Sequence, residues 1–146
     1  MPIPRLQRNG YLPPGVHRAT VEDIERVFAW NPVRKRLVEG LVRALGNLAG
    51  AGVRWVWIDG SFVTAAEDPN DVDGCWEPNS WVRRDLLDPI FLDDRPPRDA
   101  MRRKYGVDFL IAILGQATSP TIQEFFMADR DGKPKGILLV ELERDL

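Results

Sequence analysis

Apolar residues recur at helical spacing through Val33, Leu37, Val38, Leu41, Val42, Leu45 and Leu48, with Arg34, Lys35, Arg36 and Arg43 among them as polar counterparts. That period predicts an amphipathic helix. Asn31-Pro32 marks its start, an N-cap residue followed by proline at the first helical position, and Gly50 and Gly52 mark its end. A shorter helix is predicted ahead of it over 21–30, with Thr20 as N-cap and Asp23 at the capping-box position. The pattern then changes. Residues 53–58 are β-branched and aromatic, bounded by glycines and mostly apolar on both faces, which predicts a central strand covered on both sides. Residues 71–76 predict a second, shorter strand with a possible bulge at Gly74. Two more strands are predicted over 107–114 and 137–142. Helices are predicted over 81–87, capped by Asn79-Ser80, over 98–105, and from Ser119-Pro120 to 127, with a turn at Asp131-Gly132. Helices first, then strands with helical or irregular connections, give an α+β fold. We expect one mixed β-sheet packed against helices, in a single domain over 20–146 behind an extended, proline-rich arm over 1–19.

Composition narrows the chemistry. The chain has 146 residues and a formal net charge of −2. A chain of this size buries a core without a disulfide or structural metal. Its charge balance does not drive the whole molecule toward nucleic acid or membranes. Cys75 is the single cysteine, which fits a reducing compartment. The N-terminus lacks the apolar core of a signal peptide, and no run approaches the ~20 apolar residues that cross a bilayer. The expected location is cytoplasmic. One cysteine and one histidine, His17, cannot build a zinc site of the usual ligand types. A Ser-His-Asp or Cys-His site would have to use His17, in the Pro/Gly-rich arm.

Acidic residues carry the remaining candidate chemistry. Asp71 and Asp73 stand at i and i+2 of a predicted strand, so both carboxylates leave one face. Like charges this close raise one another's pKa, and such a pair persists mainly where water or a cation neutralises it. Magnesium fits, being held by one or two carboxylates plus substrate phosphates. Gly60-Ser61 follows the buried strand directly. Glycine permits close approach of a ligand to the backbone, and a helical turn opening at Ser61 would offer N–H groups to a phosphate. Asp108 interrupts an otherwise apolar strand and needs a partner. It is either a third metal ligand or general base, converging with Asp71 and Asp73 if the strands are neighbours, or the partner of Arg102, Arg103 or Lys104. A second pair, Asp129 and Asp131, lies beside Gly132 and reads as a solvated turn.

Trp-Ile-Asp-Gly-Ser-Phe, a spacer, then Asp-Val-Asp, with a later acidic strand residue, resembles the signature of the nucleotidyltransferase superfamily that includes DNA polymerase beta. More narrowly, the segments 10–17, 59–64, 71–77 and 129–137 resemble a family of small uncharacterised bacterial nucleotidyltransferase-like proteins. The resemblance implies that Gly60 and Ser61 contact nucleotide phosphates and that Asp71, Asp73 and Asp108 are catalytic and hold Mg2+ or Mn2+. The implied activity moves a nucleoside monophosphate from a nucleoside triphosphate to a hydroxyl acceptor, on RNA, a protein or a small molecule. Its alternative is a degenerate nucleotide-binding or regulatory protein with a protein partner, such as the antitoxin-like member of a toxin–antitoxin pair. No acceptor-binding second domain is evident, which leaves both open. Among other residues, Trp55 and Trp57 read as core, while Trp76 and Trp81 flank the candidate site and offer faces for a nucleobase. The basic run Arg95, Arg98, Arg102, Arg103 and Lys104 is either a solvated face offset by Asp93, Asp94 and Asp99, or a phosphate clamp or nucleic-acid contact. Lys133 and Lys135 could reach a phosphate from the late turn.

Overall fold

In a computed structural model, the described residues are 3–92, 98–112 and 127–143. They form an α+β domain with a five-stranded mixed sheet. The strands are β1 (Val16–Arg18), β2 (Trp55–Asp59), β3 (Val72–Trp76), β4 (Val107–Ile111) and β5 (Ile137–Glu141), and the helices are α1 (Val21–Phe28), α2 (Pro32–Gly50) and α3 (Asp99–Tyr105). The spatial order is β1-β5-β2-β3-β4. β1 runs parallel to β5 and β3 parallel to β4, while β2 is antiparallel to both its neighbours. β2 is therefore the central strand, as its two apolar faces predict.

The first two helix signals act as read. Thr20 and Asp23 close a reciprocal capping box on α1, and Asn31 accepts from the Arg34 N–H at the start of α2. The two sheet faces differ. On one, Val56, Ile58, Val72, Trp76, Val107, Phe109, Leu138 and Val140 join Ile24, Phe28, Leu41, Leu45 and Leu48 of the helices in one continuous core. Burying such side chains stabilises the fold by about 1.5–3 kcal/mol each. The other face carries a smaller apolar cluster around Trp57, Cys75, Ala112 and Ile137, and then the acidic residues.

Three expectations change. Residues 3–19 are extended but built into the domain: Leu12 is fully buried, β1 pairs with β5, and His17 Nε2 lies 2.7 Å from the Pro13 carbonyl oxygen. Gly74 is not a bulge, because the β2–β3 and β3–β4 registers run through it unbroken. Glycine is needed there for another reason: a Cβ would overlap the Trp57 carbonyl and press on the Phe109 ring. No helix forms over 81–87. Asn79 Oδ1 accepts from the Trp81 N–H in a local turn, and the Arg83 N–H is drawn across to the Ala51 carbonyl at 2.7 Å. A 3-10 turn at Pro89–Leu92 follows instead. The predicted helix from Ser119-Pro120 and the tail of the 107–114 strand lie outside the described residues.

Arg34 fixes the segment that follows Gly60. It is fully buried. Its guanidinium donates to the carbonyls of Phe28, Phe62, Thr64 and Ala66 at 2.6–3.2 Å and lies 3.7 Å from the centre of the Trp30 ring. Burial lowers its pKa to about 10, which leaves it charged at neutral pH. Backbone carbonyls and aromatic faces thus hold this cation, and the same bonds fix the chain over 62–66. Arg34→Met leaves these carbonyls without a donor. We expect a loss of about 3 kcal/mol or more in urea unfolding. A change below ~1 kcal/mol would remove Arg34 from this role.

Candidate functional site

Strand register builds the site. Asp59, the last residue of β2, pairs with Asp73 of β3, and Asp73 pairs with Asp108 of β4. Directly paired residues leave the same sheet face, so three carboxylates stand in one row, and Asp71 joins them two residues before Asp73. Asp71, Asp73 and Asp108 each present an oxygen within 4.8 Å of the other two. The expectation that Asp108 converges with the Asp71/Asp73 pair is met, on neighbouring parallel strands.

The counter-charges come from α3 and the residue before it. Arg98 forks onto Asp108, bonding Oδ1 through Nε. Arg102 donates through Nε to Asp71 Oδ2 and through Nη2 to Asp108 Oδ2, both at 2.9 Å. Two arginines of the basic run thus face the carboxylates, Arg103 and Lys104 are exposed, and Arg95, with Asp93 and Asp94, lies outside the described residues. Both readings of Asp108 meet here, since it has arginine partners and also sits in the acidic cluster.

Asp73 and Asp59 are the residues left over. Among the described residues neither receives a hydrogen bond from a cation. Burial, then the charges of Asp71 and Asp108, raise the Asp73 pKa from the ordinary 3.8 to about 7. Asp59 is fully buried, and neither of its carboxylate oxygens has a hydrogen-bond partner. Burial first, and Asp73 next, hold its pKa well above the carboxylate range, while the Lys135 charge pulls the other way. An unpartnered buried carboxylate is costly, and an added cation relieves that cost. Sequence reasoning did not single out Asp59. The available signal was an acidic residue closing an apolar strand immediately before Gly-Ser.

Gly60 sits against this row. Its φ is 78°, in the left-handed region, and a Cβ there would overlap the Asp73 carboxylate. Glycine is thus the residue that lets the chain turn while Asp73 keeps its place. The exposed Ser61 opens a three-residue 3-10 turn, Ser61–Val63. The other candidates fall elsewhere. Trp76 is buried, with its indole N–H on the Phe91 carbonyl, so it offers no face to a base. Trp81 is exposed but stands by Gly52 and Trp55, at the end of β2 opposite Asp59. Asp129 organises its own turn, accepting from the Asp131 and Lys133 N–H groups and from Tyr11 Oη. Cys75 is buried, and burial, with the nearby Asp59, pushes its thiol up to about 12.

Fold and site together define an α+β domain with a carboxylate cluster at one end of its central strands, a cluster able to hold a metal ion. The chain belongs to a family of unknown function, DUF6932, whose model matches residues 4–141. No curated protein and no solved structure matches it. No helix among the described residues is long and apolar enough to cross a membrane.

The raised pKa of Asp73 fixes a pH dependence. Its folded-state value lies above the unfolded one, so the folded state holds this proton more tightly. Stability contributed in acid is lost as pH rises from about 4 to about 7. In metal-free protein, Asp73→Asn is expected to stabilise relative to wild type at pH 8 by ~1 kcal/mol or more, and by less at pH 5. Urea midpoints at both pH values measure this. A variant no more stable than wild type at pH 8 would contradict the electrostatic account.

Proposed function

We propose that this domain is a metal-dependent nucleotidyltransferase, moving a nucleoside monophosphate from a nucleoside triphosphate to a hydroxyl acceptor. The observation that carries the reading is the acidic row itself: three carboxylates within 4.8 Å of one another, with the orphaned Asp59 buried beside them. Asp71 and Asp73 would hold Mg2+, or Mn2+, with Asp108 as the third carboxylate. The bound metal would neutralise charge on the phosphates in an in-line displacement. Gly60 lets the chain turn hard against Asp73, and the exposed Ser61 that follows would bond a phosphate held there. A nucleotide-using site of this kind fits a cytoplasmic protein.

One observation favours a second reading. Arg98 and Arg102 already pair with Asp108, and Arg102 also with Asp71, from within the chain. A cluster closed in this way suits a regulatory or antitoxin-like protein that keeps the arrangement without turnover and acts through a protein partner.

Thermal unfolding separates the two. With magnesium and each ribonucleoside triphosphate at about a hundred times the dissociation constant, a functional site adds about 2.7 kcal/mol. For this size of domain that is a midpoint rise of roughly 5–10 °C. We expect the rise with at least one nucleotide, dependent on magnesium and abolished in Asp73→Asn. A cooperative melt that no nucleotide shifts would overturn the enzyme reading.

A further inference from the structure

α2 and α3 approach each other closely: the Tyr105 carbonyl lies where a Cβ on Gly40 would be. Along this contact runs a groove of about 440 Å3, with Arg36, Glu39 and Arg43 on the α2 side and Arg102, Arg103 and Lys104 on the α3 side. Five cations therefore share one groove with a single carboxylate, in a chain whose net charge is −2. Lys104 is committed to Asp88 at 2.5 Å and Arg102 to the acidic row. Arg43 donates to the Lys104 carbonyl at 2.8 Å, which uses one N–H of its guanidinium. Among the described residues, Arg36, Arg43 and Arg103 have no carboxylate partner. Packing alone does not account for Arg36 and Arg103, which are exposed.

We propose that this groove seats the phosphodiester backbone of a nucleic-acid strand. Four of its five cations are arginines, whose planar forks match phosphate oxygens in pairs. Its one aromatic lining residue, Tyr105, is buried, so contacts fall on the backbone and tolerate any base sequence. Asn70, which precedes Asp71 in the chain, and Arg102, which bonds it, both line the groove, so a strand seated there would come close to the carboxylates. That last step rests on the nucleotidyltransferase reading and makes the strand its hydroxyl acceptor; binding in the groove does not.

The test is fluorescence anisotropy of the full chain with labelled oligo(U) and oligo(dT) of about 12 nucleotides, in EDTA without nucleotide, from about 50 to about 200 mM salt. Wild type is expected to bind at least one of the two, and comparison of the two distinguishes RNA from DNA. Arg36→Gln/Arg103→Gln should bind about tenfold more weakly or worse, with a log–log salt slope shallower by about 1.4, the loss of two phosphate contacts on a single strand. Arg8→Gln/Arg130→Gln, which removes equal charge outside the groove, should bind within about twofold of wild type. Cooperative melting of each variant verifies its fold. No binding of either oligonucleotide by wild type overturns the proposal, as does equal weakening in both double variants. Poly-glutamate competing as well as the oligonucleotide assigns the groove to an acidic protein and also overturns it. Groove-dependent binding without a magnesium–nucleotide response supports the groove and removes the enzyme reading alone.

Discussion

Asp59, Asp73 and Asp108 occupy one row across three adjacent strands, with Asp71 beside them, and the repulsion within this row must be met by something the fold supplies. Strands in a sheet lie about 4.8 Å apart, so no rotamer choice separates the charges far. Arg98 and Arg102 answer part of the demand and thereby dock the start of α3 against the ends of β3 and β4. What they leave is concentrated on Asp73 and Asp59, whose protons are held well above the usual carboxylate range. The same arrangement that makes these residues costly in the metal-free protein leaves Asp73, with Asp71 and Asp108, in a cluster able to hold a cation.

The surroundings keep the row fixed. Asp59, Asp73 and Asp108 lie on strands rather than loops, and the main core packs on the opposite sheet face. Gly60 turns the chain away from β2 without displacing Asp73. Arg34, at the first turn of α2, then gathers four backbone carbonyls over 28–66, so the segment from the Gly-Ser turn toward Asp71 is tied to the helical layer. A long-range bond set of this kind couples the site's geometry to the stability of α2.

Much of this was legible from residue order. The capping box at Thr20, the Asn31-Pro32 start and the i, i+2 spacing of Asp71 and Asp73 are local signals, and local signals survive folding when tertiary packing agrees with them. Asp108 was legible as an anomaly, a charge in an apolar strand. The missed features are non-local. The row containing Asp59 depends on antiparallel register between β2 and β3, and register is set by pairing rather than by either strand alone. The partners of Arg34 are carbonyls on other elements, and a side chain's position on the polar side of a helix does not foretell them. Residues 81–87 resembled a helix because the Arg83 N–H bond to Ala51 lies outside any local window. Trp76 was set beside the site by sequence proximity, whereas alternation along β3 sends it to the core face, opposite Asp73.

The central claim is that the acidic row is a divalent-cation site in this chain. Electron paramagnetic resonance of Mn2+, titrated with the metal-free protein, reads binding directly as loss of the free-ion signal. The account expects binding by wild type, competed by Mg2+, and a loss of at least about tenfold in affinity in Asp73→Asn, in line with the weight of a charged ligand. A wild-type protein that leaves the Mn2+ signal unchanged at millimolar concentration, while melting cooperatively, would contradict it.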